Sequence, residues 1–246
     1  MTRAVVIKVS GSEITPANPE FVKRLSASLK SLYRDGKYDI ALVPGGGHLA
    51  RDYIRSARDF GAGEAQSDLI GVEATRLNAT FLIACLRDLA YPTAIEDPRE
   101  ASHLVLQDHV IGVICGRGTG HSTDNVAAQF AGVMGVKQMV KITSVGGIYS
   151  KDPRTNPDAK MLKAISYDDL KGLISHDSRK AGSNMIVDML CAKSIQNNHI
   201  EMFVISPNDV GKIGAVLEHR SDLGTVVNAA GERDIRKQGE LWPTGS

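Results

Sequence analysis

The chain has 246 residues and a mass of 26.4 kDa; it is 42% hydrophobic and 23% charged, with 29 Lys and Arg against 28 Asp and Glu. These proportions exclude a disordered or fibrous chain. A formal charge of +1 removes the long-range attraction that nucleic-acid and membrane-surface proteins rely on, so any anion site must be local.

Cys85, Cys115 and Cys191 are odd in number, widely spaced and set among apolar residues, which predicts buried thiols in a reducing compartment rather than a disulfide frame. The opening MTRAVVIKVSGSEI has an apolar run too short for a secretory signal, and no uncharged apolar stretch approaches a bilayer span. The cytoplasm is the expected location.

In chain order, the β-branched run Ala4 to Val9 predicts a buried strand that ends in the turn Ser10-Gly11-Ser12. Asn18, Pro19 and Glu20 read as a helix cap, first position and first-turn acid. Phe21, Leu25, Leu29 and Leu32 follow at helical spacing, and Gly36 is the stop. A second strand covers Tyr38 to Val43, then comes the turn Pro44 to Gly47 and a short helix from His48 to about Arg58. A long amphipathic helix is predicted from Ser67, with Ile70, Ala74, Leu77, Phe81, Leu82, Cys85 and Leu89 on its apolar stripe.

Val110 to Cys115 is a third apolar strand, running into Gly116 to Gly120. A helix beginning near Ser122 to Asp124 turns Ala127, Ala128, Ala131 and Met134 inward. Gln138 to Ile142 is a strand, and Thr143 to Pro157 is irregular. Ser166 with Asp169 opens another helix, carrying Leu170, Leu173 and Ile174. A helix from about Asn184 to Asn197, a strand Glu201 to Ile205, a short helix after Pro207 and a strand Gly224 to Val227 complete the pattern. Apolar strands alternating with helices predict an α/β fold, a three-layer αβα sandwich around a mainly parallel open sheet. One domain is expected over residues 1–228, with a mobile polar tail over 229–246 that includes Trp242 and could instead pack on a partner subunit.

Glycine accounts for 24 of the 246 residues, above the usual share of about 7%, and its placement carries the functional signal. Three glycine turns, at Gly11, Gly45 to Gly47 and Gly116 to Gly120, each follow a predicted strand, and Gly146-Gly147 adds a fourth pair. In open α/β sheets ligands bind beyond the strand carboxyl ends, where glycine lets backbone N–H groups approach a phosphate. No GxxxxGK[ST] or GxGxxG occurs, which argues against P-loop and dinucleotide folds.

Lys8 lies near the end of an apolar strand, where it must either snorkel to the surface or meet an anion. Arg51, one turn past Gly47, can fork a phosphate or stand on a solvated helix face. Asp124 reads as a helix N-cap or as a carboxylate orienting Lys8 or a metal, and Asp68 as a first-turn acid or an acceptor for a sugar diol. His48 and His121 lack a metal-ligand spacing, and no nucleophile elbow is present.

The stretches KVSGSEI, VPGGGHLARDY, SDLIGVEATRLNA, GTGHSTDNVAAQFAG, KITSVGGIYSKDP, RKAGSNMIVDMLCAK and GTVV resemble, in order, the amino-acid kinase family and within it the UMP kinases, closest to the archaeal type. The resemblance covers nearly the whole chain except the tail. It implies transfer of the γ-phosphoryl of ATP to UMP, with Mg2+ carried by the phosphates rather than by protein side chains, and a homo-oligomer, usually a hexamer.

By similarity, Lys8, Ser10 and Gly11 face the β and γ phosphates with Gly47 and Arg51 beside them, and Thr143, Tyr149 and Asp152 hold the adenosine part. Gly46, Asp68, Gly116, Thr119, Gly120, His121, Ser122 and Thr123 hold UMP, with Asp68 on the ribose and Thr123 on the phosphate. Asp124 matches the aspartate that positions the lysine, so Lys8, Asp124 and Arg51 form the implied catalytic set. The chain departs from the family at Gly146, where the usual acid of V-D-G-V-Y is missing. Two other readings stand beside this one: a kinase of the same fold for another small acidic acceptor, or a nucleotide-binding storage or regulatory protein.

Overall fold

A computed structural model describes residues 2–116, 118, 120–177 and 187–234. Its first half contains β1 (Arg3–Val9), α1 (Pro19–Arg34), β2 (Tyr38–Pro44), α2 (Gly47–Asp59), α3 (Glu64–Leu86), α4 (Pro98–Leu106), β3 (Gly112–Val113) and α5 (Thr123–Val133). There follow β4 (Gln138–Ile142), β5 (Ile148–Tyr149), β6 (Met161–Leu162), β7 (Ala164–Ser166), α6 (Tyr167–Asp177), α7 (Met189–Asn197), β8 (Glu201–Ile205), α8 (Ile213–Leu217) and β9 (Thr225–Asn228).

Seven strands form one sheet in the order β3-β2-β1-β4-β8-β9-β7, parallel throughout except between β8 and β9. Successive side chains of a strand point to opposite faces, and β1 shows the result directly. Val5, Ile7 and Val9 enter the core under α1, α3 and α8, while Val6 enters the core under α4, α5, α6 and α7. Helices therefore cover both faces, as the uninterrupted apolar strands require. By the same alternation Lys8 lies on the α5 side of β1 and Lys141 on the α5 side of β4. That parity aims both lysines at the start of α5.

Local signals account for most element boundaries. Asn18 caps α1 by accepting from Phe21 N, and Phe21, Leu25, Leu29 and Leu32 are buried as their spacing predicts. Ser166 accepts from Asp169 N at the start of α6. The helix expected from Asn184 begins at Met189, where the Asp188 carboxylate accepts from Cys191 N; a carboxylate capping the helix stops it from extending upstream. Residues 178–186 lie outside the described residues, as do Arg117, Thr119 and 235–246 with Trp242. Arg233 donates to the carbonyls of Lys163, Ser221, Leu223 and Gly224, so the chain still packs on the domain at that point.

Three further expectations about secondary structure are corrected. Helix α4 falls in a stretch without a predicted element, although Asp97, capping Arg99 N and Glu100 N ahead of Pro98, is a strong start signal. The irregular stretch after Thr143 contains β5, which pairs with β6 as an antiparallel arm. Helix α3 starts at Glu64, and its buried side is Ser67, Ala74, Thr75, Asn78, Ala79, Leu82 and Leu86, with Leu77 58% exposed. Apolar residues surround α3 nearly all round, so periodicity could not choose the face; its small residues Gly71, Ala74 and Asn78 lie close against the main chain of the Gly45–Gly46 turn. The segment Glu64–Leu89 is long and apolar enough to cross a membrane by length and composition alone. It packs against α1, α2 and β2 and carries a Glu73–Arg76 ion pair at its middle, the setting of a helix lying on a sheet.

Cys115 and Cys191 are buried, as expected, whereas Cys85 is only half-buried because it faces the edge of the α1–α3 packing; all three are free thiols.

Candidate active site

The carboxyl ends of β1, β2 and β4 meet at two interlocked turns. Ser10 N donates to Ile142 O and Gly45 N to Val9 O, which fastens the ends of the three strands together. A Cβ at Gly11 would lie 2.0 Å from Gly45 O, and one at Gly47 would lie 2.2 Å from the Gly11 carbonyl carbon. Only glycine permits this backbone-to-backbone contact, and Gly47 also has a φ of +67°. From behind, the buried Asn78 amide of α3 donates to Gly45 O at 2.7 Å. The result is a rigid floor of main-chain groups.

Above that floor stands a buried charge cluster. Lys8 Nζ lies 3.4 Å and Lys141 Nζ 2.5 Å from the same oxygen, Asp124 Oδ1. A Cβ at Gly45 would be 3.4 Å from Thr123 Oγ1 and 3.5 Å from Lys8 Nζ, so the glycine turn, Thr123 and Lys8 converge on one point. Burial pulls the Lys8 ammonium down to about 8; Asp124 opposes this fall and Lys141 adds to it. Burial acts to raise the Asp124 carboxyl, but Lys141 and Lys8 together outweigh it and hold the group below the usual carboxylate range. Burial keeps the neighbouring Cys191 thiol neutral by raising it well above its ordinary value, and Asp124 adds to the effect. Two ammonium groups against one carboxylate leave the cluster with a surplus positive charge.

The start of α5 supplies a second set of groups. Ser122 Oγ accepts from Asn125 N, capping the helix, and donates to the Asp188 carboxylate. Asn125 is buried and contacts His121 Nδ1 at 3.3 Å, while Ser194 Oγ donates to its Oδ1. Thr123 and Asp124 occupy the first turn, where exposed N–H groups and the helix dipole favour an anion. Asp68 accepts from Gly120 N at 2.8 Å and so ties α3 to the loop before α5. Arg51 is exposed and bends over the turn that follows β1, donating to Ser12 Oγ at 2.9 Å with His48 Nδ1 at 3.1 Å.

The structure thus brings Lys8, Ser10, Gly11, Gly46, Gly47, Arg51, Asp124 and Thr123 around one cradle, with Asp68, Gly116, Gly120, His121 and Ser122 along the adjoining loop; Thr119 lies outside the described residues. Thr143 stands at the tip of β4, where its N–H donates to Ile205 O. Tyr149 and Asp152 belong instead to the β5–β6 arm, which Thr225 Oγ1 fastens to β9 by accepting from Ile148 N and donating to Leu162 O. The Asp152 carboxylate is taken up by Arg154 at 2.7 Å.

Sequence reasoning missed Lys141, Asn78, Asn125 and Asp188. The signal for Lys141 was the one that singled out Lys8, a lysine inside an otherwise apolar strand, and the two pair in register across β1 and β4.

The match to the amino acid kinase family covers residues 3–206. This chain belongs to the amino acid kinase family. Within it, the chain is 37% identical to a uridylate kinase of Pyrococcus abyssi over 224 residues, which is 90% of this chain and 98% of that protein. It is 38% identical to a uridylate kinase of Methanocorpusculum labreanum over 228 residues, covering 92% and 96%. The solved uridylate kinase of Archaeoglobus fulgidus superposes with a TM-score of 0.78 at 33% identity, over 91% of this amino acid kinase and 99% of that chain. The αβα fold read from the sequence is therefore the fold of this amino acid kinase.

Proposed function

We propose that this amino acid kinase transfers the γ-phosphoryl of ATP to UMP, giving UDP and ADP. The observation that carries the reading is the buried surplus of positive charge at Lys8, set on a floor of glycine main chain between two loops. Transfer between phosphates needs no strong general base, because the acceptor oxygen is already anionic; alignment and charge neutralisation do the work. The similarity to uridylate kinases along almost their whole length supports UMP as the acceptor.

On this reading Lys8, Ser10, Gly11, Gly47 and Arg51 hold the β and γ phosphates, and Thr143, Tyr149 and Asp152 the nucleoside end of ATP. Gly46, Asp68, Gly116, Thr119, Gly120, His121, Ser122 and Thr123 hold UMP, whose phosphate rests on the N-terminus of α5. A UMP phosphate oxygen attacks the γ-phosphorus, the bond to the β–γ bridging oxygen breaks, and that oxygen leaves on ADP. Lys8 and main-chain N–H groups follow the charge as it moves, with Asp124 orienting Lys8.

Among the described residues no group of three or more His, Cys, Asp or Glu could hold a metal ion. The one carboxylate of the cradle, Asp124, is already committed to two lysines. Mg2+ on this reading arrives with ATP, held by phosphate oxygens, and supplies charge neutralisation there.

The reading also places the protein in the cytoplasm, in pyrimidine nucleotide biosynthesis, as a single kinase domain over residues 1–228. Leu49 and Tyr53 of α2, Phe60 just beyond it, and Leu69 and Leu77 of α3 are exposed. This much apolar surface on two adjacent helices supports self-association, with a hexamer as the expected assembly. The deciding experiment mixes purified protein and Mg–ATP with a panel of nucleoside monophosphates and follows ADP and the new diphosphate. UDP formation well ahead of all other products is expected; no turnover with UMP overturns the reading.

A further inference from the structure

Lys8 and Lys141 are register partners on neighbouring parallel strands, on the same face of the sheet, and both reach one carboxylate oxygen. They do not share it equally: Lys141 Nζ is at 2.5 Å and Lys8 Nζ at 3.4 Å. Lys8 is also among the nearest groups to the Gly45 turn, together with Thr123, where a phosphoryl group would pass. Lys141 stands one strand deeper, with a side chain 5% exposed.

A buried carboxylate and a buried ammonium each need a partner, because desolvation costs several kcal/mol per uncompensated ion. If Asp124 had only Lys8, the two would close on each other and the attraction would hold Lys8 back from any ligand. With Lys141 already on Asp124, the carboxylate is satisfied without Lys8.

Building on the phosphotransferase reading above, we propose that Lys141 is a positioning residue: by taking up Asp124 it leaves the Lys8 ammonium free to engage the transferring phosphoryl group. The charged or titratable groups facing Lys8 are Asp124 from α5, Lys141 from β4 and Cys191 from α7. Of these, Cys191 is held neutral, so the balance at Lys8 is set by Asp124 and Lys141.

The test uses Lys141→Gln, which retains a hydrogen-bond donor for Asp124 but no charge. Turnover is expected to fall between about 10- and 100-fold with both KM values within about threefold, the signature of a misplaced reacting group. In a Lys8→Met background the same substitution should cost less than about threefold more, because it acts through Lys8. The titration of Lys8, followed by NMR on 13C-labelled lysine in the nucleotide-free protein, should shift to higher pH in Lys141→Gln. Multiplicative losses in the double variant, a rise in KM alone, or an unmoved Lys8 titration overturns the proposal.

A structure of the unaltered protein with ADP, aluminium fluoride and UMP supplies a test that needs no variant. Lys8 should contact the fluoride and Lys141 stay on Asp124; Lys141 on the fluoride overturns the proposal. The NMR titration needs no nucleotide, so it reads the lysine pair even if UMP proves to be the wrong acceptor.

Discussion

Two charge clusters sit at opposite ends of the same sheet, sharing only β4, and they are built to different rules. At the carboxyl ends, Lys8 and Lys141 share the single carboxylate of Asp124. At the amino ends, Glu201 lies 3.0 Å from His219 Nε2, accepts from Asn228 through Oε1 at 3.3 Å and is 3.5 Å from Gln138, whose amide also donates to Leu217 O. The Phe203 ring packs edge-on against His219. This second cluster closes on itself, with several donors gathered on one acceptor, and it joins β4, β8, β9 and the C-terminal end of α8 into one unit. The first has more charge than the fold can use, and that surplus marks it as a place waiting for an anion.

The largest separation of the two comes from Lys8→Met. Turnover should fall by about 10²-fold or more with modest change in KM, since groups that stabilise moving charge have effects of that size. Stability should move the other way. Lys8 titrates at about 8 in the folded chain against an ordinary 10.5, so between these values the unfolded chain binds more protons and stability rises with pH. Below about pH 8 the folded chain carries the whole cost, on the order of 3 kcal/mol. Chemical denaturation of wild type and Lys8→Met from pH 7 to 10 should therefore show the variant more stable at pH 7 and the gap closing as pH rises. Comparison of the two proteins is needed because Cys85, Cys115, Cys191, Tyr38 and Tyr167, all held neutral by burial, lower alkaline stability in both. A gap independent of pH would mean that Lys8 is not paying a burial cost.

Asp68→Ala comes next. Its carboxylate holds Gly120 N in the nucleotide-free chain and has a second oxygen for a ribose hydroxyl. Loss of a charge-assisted hydrogen bond is worth roughly 1.5–3 kcal/mol, so KM for UMP should rise about 10- to 100-fold while KM for ATP stays within about threefold. Equal changes in both constants would assign Asp68 to loop structure alone.

At the other end of the strands, Glu201→Gln should weaken the fold by about 1–3 kcal/mol, because donors gathered on a carboxylate lose part of their acceptor, and leave turnover with saturating nucleotides unchanged. Burial acts to raise the Glu201 carboxyl, but His219, Asn228 and Gln138 outweigh it and the net shift is downward. Its contribution is therefore present above the ordinary carboxylate range and lost as pH falls through the folded value; acid denaturation of the variant should be less steep than that of wild type. A loss of turnover without a loss of stability would erase the distinction between the two clusters.

How far the sequence foretold these clusters depended on how local each signal was. Lys8 and the three glycine turns were legible because each is a short anomaly, a charge or a run of glycine at the end of an apolar strand. Asn18 and Ser166 were legible as caps for the same reason, whereas at α5 the cap is Ser122, two residues before the Asp124 that the sequence offered. Lys141 carried the same kind of anomaly, but its meaning came only from strand order: nothing in the chain says that β4 lies beside β1, with residue 141 opposite residue 8. Glu201 and His219 were silent, since their partners Gln138 and Asn228 are 63 and 27 residues from Glu201. The face of α3 was misread for a third reason, because small residues packed against backbone outweighed the larger apolar ones left exposed.

Gly146 gives the smallest effect and bears on the sharpest departure from the family pattern. It has a φ of +70°, and a Cβ there would lie 3.1 Å from Ser206 Cβ. The turn is set by Gly146 N donating to Thr143 O, so the backbone needs this conformation whichever residue occupies the position. Asp tolerates positive φ better than most residues, and Ser206 can yield a few tenths of an ångström. Gly146→Asp should therefore cost about 1 kcal/mol of stability and leave turnover within a few-fold, because the Lys8 cluster on the far side of Thr143 is untouched. If the added acid instead changed KM for ATP by tenfold or more, the missing carboxylate would be a determinant of donor binding, and the donor loop would join the cradle as part of the site. Stability and KM measured together separate these outcomes: strain moves the first, a new contact to nucleotide the second.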